Sequence, residues 1–224
     1  MNNLILGINT ATQTSEIFLY DINIGKIIAS YVFEGKQNES EILLPKILAM
    51  FNTRNRNLAD LHSVVVVNGP GSFVSLRVGV ITANTILNNL KGLNAYVLTT
   101  FDLLKHSFSN YKKVHENENT EIIIYAGGNQ VFRQKNPFQN TEIETVEFDA
   151  SYYKNKDMNL ICDLPEKLKL KIGDIDDSVK IIERKPFDEV FIHLIKNGLL
   201  DSYRFEEKTI LPNYIKEPSI TIKT

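Results

Sequence analysis

The chain has 224 residues, of which 43% are hydrophobic and 23% charged, and a formal net charge of -2. That size buries roughly 70% of the unfolded surface, so a core forms without a covalent or metal staple, and the near-neutral charge excludes the broad basic face of an autonomous nucleic-acid-binding domain. The one cysteine, Cys162, rules out an internal disulfide or a thiolate zinc cluster; MNNLILGINT has neither the basic start nor the long apolar core of a signal peptide, and no run has transmembrane length, so the expected location is the cytoplasm with no membrane contact.

Strand-like runs occur at Leu4 to Thr10, Glu16 to Asp21 and Lys26 to Phe33, and their short connections predict an antiparallel meander. Ile42, Leu43, Leu44, Ile47, Leu48, Met50 and Phe51 then recur at helical spacing, with Pro45 expected near the first turn. Val64 to Val67 reads as a strand buried on both faces, followed by a helix from Phe73, a strand at Ala95 to Leu98 and a helix from Phe101 to Phe108. Three strands, helix, strand, helix, strand is the order of a ribonuclease-H-like α/β lobe.

Beyond it, Lys112 to Thr120 is expected to be a solvated loop between lobes. Glu121 to Tyr125 and Val131 to Gln134, joined through Gly127, Gly128 and Asn129, predict a hairpin, and Glu142 to Asp149 and Asn159 to Cys162 predict further strands. Phe187, Val190, Phe191, Leu194 and Ile195 predict a helix stopped at Asn197 and Gly198. The expected division is a first lobe over 1–110 and a smaller α/β lobe over 111–224 whose C-terminal tail returns to the body.

The stretch from Asn68 to Leu90 stands apart. Gly69 and Gly71 permit backbone angles closed to other residues, and Ser72 is placed to cap the helix that follows. Between Asp60 and Lys91 the only charged side chain is Arg77, so this helix lacks the charged face that an ordinary surface helix turns to water. Phe73, Leu76, Val80, Ala83, Leu87 and Leu90 form a stripe for the sheet, while Ser75, Gly79 and Ala83 form a row of small residues. That row predicts a second helix in close contact, from this chain, from a partner, or from both. On spacing alone the glycine loop reads first as a structural turn. It is neither a P-loop, since no Gly-Lys-Ser/Thr follows, nor a dinucleotide fingerprint, since Val74 takes the third glycine's place.

Other chemistry is thin. His62, His106, His115 and His193 never fall four apart, so no metal motif is present. Arg77 reads either as an ion-pair donor to a partner carboxylate or as a side chain reaching solvent or an internal acid. Glu41 reads as a residue favoured by the helix dipole or as an interface charge. Arg54 with Arg56, and Lys112 with Lys113, read as solvated surface or as contacts to nucleic-acid phosphates.

Gly69-Pro70-Gly71-Ser72-Phe73 with Leu76-Arg77-Val78-Gly79 resembles the Gly-Pro-Gly-Ser-Phe-Thr-Gly-Leu-Arg-Ile-Gly signature of the bacterial TsaB family, also called YeaZ. Ile5 to Thr12 resembles the family's opening Ile-Asp-Thr-Ser, Ser40-Glu41-Ile42-Leu43-Leu44-Pro45 its Ser-Glu-x-Leu-Leu-Pro helix, and Pro212-Asn213-Tyr214-Ile215-Lys216 its Pro-x-Tyr-x-Arg tail. Val74 and Ser75 stand for the family's Thr-Gly, Lys216 for its Arg, and Tyr125-Ala126-Gly127 for its Asp-Ala-Arg. The matches concentrate in the first hundred residues and the tail.

The resemblance implies an α/β fold of the actin, Hsp70 and sugar-kinase type, with two ribonuclease-H-like lobes, the second reduced. It implies a non-catalytic partner that binds and stabilises a TsaD-like transferase, which threonylcarbamoylates the adenosine beside the anticodon of tRNA. A TsaE-like ATPase would be the third member, tRNA an indirect partner, and a homodimer the form in isolation. The implied pairing surface lies on the helices near Glu41 to Phe51 and Phe73 to Leu90, with Glu41, Leu44, Leu48, Ser75, Arg77, Val78, Gly79, Thr82, Ala83 and Ile86 as its expected residues. No catalytic, metal or cofactor residue is expected, with ATP or ADP only at a shared interface of the complex. Relatives of the superfold that hydrolyse ATP use a carboxylate at the first strand, where this chain has Asn9, and a neutral amide holds a divalent ion less well. The alternatives are a small ATP-dependent phosphotransferase and a self-associating relative that has left the pathway.

Overall fold

The computed structural model describes residues 2–33, 38–108, 119–139, 141–173 and 178–215. In chain order the elements are β1 (Leu4–Asn9), β2 (Glu16–Asp21), β3 (Lys26–Val32), α1 (Glu39–Asn52), β4 (Leu61–Val67), α2 (Phe73–Asn89), β5 (Asn94–Leu98) and α3 (Thr100–Phe108). There follow β6 (Thr120–Gly127), β7 (Gln130–Lys135), β8 (Ile143–Glu147), β9 (Met158–Asp163), α4 (Glu166–Gly173), β10 (Val179–Glu183), α5 (Phe187–Lys196) and β11 (Arg204–Phe205).

The valine run of β4 lies parallel between β1 and β5, and Ser63 to Val67 are all buried. A strand covered on both faces has no position that rewards a polar residue, which is why the run does not alternate. β1, β2 and β3 form the expected antiparallel meander, and the sheet reads β11-β5-β4-β1-β2-β3. Without the short β11, this is the ribonuclease-H-like order. The second sheet reads β10-β9-β6-β7-β8, with the hairpin between β6 and β7 where it was expected.

α3 joins the two halves. Its Leu103 belongs to the first core, whereas Phe101, Leu104 and Phe108 pack with Ile122, Ile124, Phe132, Ile161 and Ile182 of the second sheet. α5 was expected in the second lobe but packs on β1 and β2, where Phe187 and Phe191 lie 5.1 and 4.8 Å from the ring of Phe18. The chain therefore returns to the first lobe at Phe187, well before the tail.

Two local expectations change. Pro45 lies inside α1 rather than in its first turn; both it and Glu41, whose carbonyl loses an amide partner to the proline, face solvent, so water can serve that carbonyl. Ser72 stands at the N-cap of α2, but its side chain caps nothing: Oγ donates to Ser75 Oγ at 3.2 Å. α4, β10 and β11 were not foreseen. Positions 112–118, expected as a loop, and Lys216 lie outside the described residues.

Candidate partner-binding face and interlobe cleft

The turn that links β1 to β2 is the junction of the first lobe. Asn9 Nδ2 donates to Thr12 Oγ1 at 2.8 Å and to Glu16 Oε2 at 3.2 Å, while Asn9 Oδ1 accepts from the Ala11 amide. The glycine loop rests on this turn. Ser72 N–H donates to the Ala11 carbonyl, and a Cβ on Gly71 would run into that same carbonyl. Gly69 holds φ at 109°, and its Cβ would stand 2.8 Å from Leu76 Cδ2 and 2.9 Å from the Asn213 carbonyl. The glycines serve close backbone approach, which is the structural reading of the loop.

α2 is enclosed by its own molecule on three sides. Leu76, Val80, Ala83 and Ile86 are buried, and α2 packs on β4, β1 and α1. Gly79 is pressed against the side chain of Thr10. Along another side runs the C-terminal segment: Asn84 exchanges two hydrogen bonds with the backbone of Ile210, at 2.9 and 3.0 Å, and Asn68 takes the Asn213 amide at 2.7 Å. At its end Tyr214 lies 5.0 Å from the ring of Phe73.

What remains outward is an aliphatic ridge. Val74 is 69% exposed and Ile81 62%, with the half-buried Val78 and Thr82 between them and exposed Thr85 beyond. On neighbouring α1, Leu43, Ile47, Met50 and Phe51 face the core, while Leu44 and Leu48 are 44% and 40% exposed beside outward Pro45 and Ala49. Glu41 and Arg77 are the charged residues of these outward stripes.

The ten expected interface residues thus divide. Glu41, Leu44, Leu48, Arg77, Val78 and Thr82 keep an outward surface, whereas Ser75, Gly79, Ala83 and Ile86 are buried in the chain's own packing. The small-residue row is buried within this chain, with the Thr10 side chain rather than a helix against Gly79, and Val74 and Ile81 are the exposed apolar residues that the reasoning missed. Their signal was available: they lie off both the sheet stripe and the small row. Arg77 reaches solvent, as one of its two readings had it, with its guanidinium 4.3 Å from the ring centre of Phe73 and its Nε donating to Tyr214 Oη at 2.8 Å.

Where the two lobes meet, an ion-pair network links them. Arg184, just past β10, places Nη1 2.7 Å from Glu16 Oε2 of β2 and Nε 3.8 Å from Asp163 Oδ1 of β9. Asp163 also accepts from the Gln13 amide at 2.8 and 3.1 Å, and Glu16 Oε1 accepts from the Phe187 amide at 3.3 Å. All these carboxylates are buried. Among the described residues no group of histidine, cysteine and carboxylate side chains is arranged to hold a metal ion. Arg56, weighed as a phosphate contact, forms a 2.7 Å salt bridge with buried Asp21.

A family model for TsaD, the tRNA N6-adenosine threonylcarbamoyltransferase, matches residues 26–92. The chain is 27% identical over 215 residues to the tRNA threonylcarbamoyladenosine biosynthesis protein TsaB of Buchnera aphidicola strain Sg, covering 95% of this chain and 90% of that one. To the TsaB of Buchnera aphidicola strain APS it is 24% identical, covering 82% and 78%. Over most of its length the chain is thus similar to TsaB proteins. YeaZ from Pseudomonas aeruginosa superposes with a TM-score of 0.67 at 13% identity, covering 95% of this chain and all, 100%, of that one, which shows a shared fold. The expected pair of α/β lobes, each with a mixed sheet, is found here. The segment matched by the transferase model spans β3 to the end of α2, and so contains both helices of the outward ridge.

Proposed function

We propose that the chain is a non-catalytic subunit in tRNA threonylcarbamoyladenosine biosynthesis, and that it binds and stabilises a TsaD-like transferase through the outward faces of α1 and α2. The observation that carries this reading is the set of exposed aliphatic residues Val74 and Ile81 on α2 and Leu44 and Leu48 on α1, with Glu41 and Arg77 as the charged residues of these outward stripes. Apolar surface of this kind is favourable to cover, and its contiguity is what marks an interaction site. The names of the TsaB relatives supply the pathway, and the match of β3 to α2 with the transferase family suggests a partner offering a similar helix pair.

The ion pairs where the lobes meet support a non-catalytic role. Asn9 is engaged with Thr12 and Glu16, and Arg184 lies between the carboxylates of Glu16 and Asp163 where a nucleotide phosphate would need positive charge to spare. In this reading ATP or ADP enters only at an interface of the complex. A TsaE-like ATPase and, through the transferase, tRNA complete the assembly in the cytoplasm. The exposed ridge also favours a homodimer when the transferase is absent, because a second copy can cover the same surface.

The test is complementation. In cells depleted of their own family member, the wild-type chain restores modified adenosine in tRNA and a folded Ile81→Arg variant does not. Restoration by Ile81→Arg at the wild-type level would exclude this face.

A further inference from the structure

The turn between β1 and β2 touches both the cleft and the ridge. Toward the cleft, Gln13 N–H donates to Asp163, and Glu16 pairs with Arg184, whose Nη2 also donates to the Thr14 carbonyl at 3.3 Å. Toward the ridge, Ser15 Oγ donates to Glu39 Oε1 at 3.0 Å in the first turn of α1, Ala11 carries the Ser72 amide at the start of α2, and Thr10 fills the space beside Gly79. Ser15, Glu16, Glu39 and Thr10 are all buried, so these contacts have no solvent alternative in place.

We propose that Arg184 is a positioning residue for the partner-binding face: by fixing the 10–16 turn from the far side of the cleft, it sets how the first turns of α1 and α2 stand relative to each other. This rests on the partner reading for its biological meaning, though the mechanical link is independent of it. A buried carboxylate that loses its cation cannot stay as it is. It must draw in water, take up a proton or move, and by any of these routes Glu16 loses the ion pair that ties the 10–16 turn to the second lobe. The turn has no slack on its other side, because the Ala11 carbonyl and the Thr10 side chain are wedged against glycines. Displacement therefore passes to Glu39 and to the 72–79 segment. The second lobe acts, in this view, as a clamp on the first.

Hydrogen exchange read by mass spectrometry on the full chain tests this. In Arg184→Ala, exchange is expected to rise about tenfold in 13–16, in 39–43 and in 72–79, with β8 unchanged. Guanidinium chloride at tens of millimolar should restore protection more than sodium chloride at equal ionic strength, because the lost group is the one supplied. If Arg184→Ala does not fold, Arg184→Lys, which keeps charge but not the fork, is measured against the same standard. A rise confined to 13–16 and the cleft, with 39–43 and 72–79 at wild-type rates, overturns the proposal. Affinity for the transferase should fall about tenfold in the same variant. If instead Ile81→Arg leaves pairing untouched, it is the partner reading that fails, and the exchange data still judge the clamp.

Discussion

Arg77 and Tyr214, 137 positions apart, are joined by a 2.8 Å hydrogen bond from Nε to the phenol oxygen at the edge of the outward ridge. Phe73 completes the contact, with the guanidinium over its face and the tyrosine ring 5.0 Å away. The lone charge of an otherwise neutral helix is thereby engaged by the chain's own tail. Tyr214→Phe removes the hydrogen bond but keeps the ring, and should lower stability by about 0.5 to 1 kcal/mol at this exposed site. Tyr214→Ala loses the ring contacts too and should lower it further. Thermal melts of the variants check the order.

The two glycines behind the ridge make a second graded prediction. An added methyl at Gly71 meets backbone, the Ala11 carbonyl, whereas at Gly79 it meets the side chain of Thr10. Overpacking costs roughly 1 to 3 kcal/mol and is worst where the obstacle cannot rotate away. Gly71→Ala should therefore destabilise more than Gly79→Ala in urea unfolding. Equal effects, or the reverse order, would show that the loop can shift.

A third prediction concerns pH. Burial holds the His106 imidazole below its ordinary 6.5, with the nearby His193 acting in the same direction against the opposing pull of Asp102, and burial lowers His193 as well. A base whose folded pKa is depressed takes up protons more readily when unfolded, so stability is lost as pH falls through 6.5 and is unaffected well above it. The melting temperature should decline from about pH 7 toward about pH 5, and His106→Gln should flatten that slope. The His106 ring lies 5.9 Å from that of His193 on α5, and its Nε2 2.6 Å from the phenol oxygen of Tyr203, so the loss should appear where α3 meets α5.

Cys162 supplies a fourth. Burial pushes its thiol up to about 12, so almost no thiolate exists at neutral pH. A disulfide reagent should leave the native chain unlabelled and react fully in denaturant. Rapid native labelling would mean that the second lobe opens.

Much of the first lobe was legible because its signals are local. A valine run without alternation can only be a strand covered twice, and a helix with one charge can only be covered on most of its sides. What the pattern could not divide was which sides the chain itself covers. Ser75, Gly79 and Ala83 read equally well as a seat for this chain's own packing or for a partner, and only their burial, with Thr10 against Gly79, decides for the former. α4 was hidden because lysines interrupt its apolar residues, and β10 because it is short and half polar. Arg184 carried no sequence signal at all, since its partner carbonyl at Thr14 lies 170 positions away. Arg56 looked like a surface cation for the same reason: Asp21 lies across the fold.

The central claim is that the ridge of α1 and α2 receives the transferase. Titration calorimetry with a TsaD-like transferase, comparing the wild-type chain with Ile81→Arg and Leu48→Glu, tests it most directly. Both substitutions are at exposed positions and should leave the melting temperature nearly unchanged while weakening binding by about 100-fold or more. Wild-type affinity in both folded variants would contradict the account.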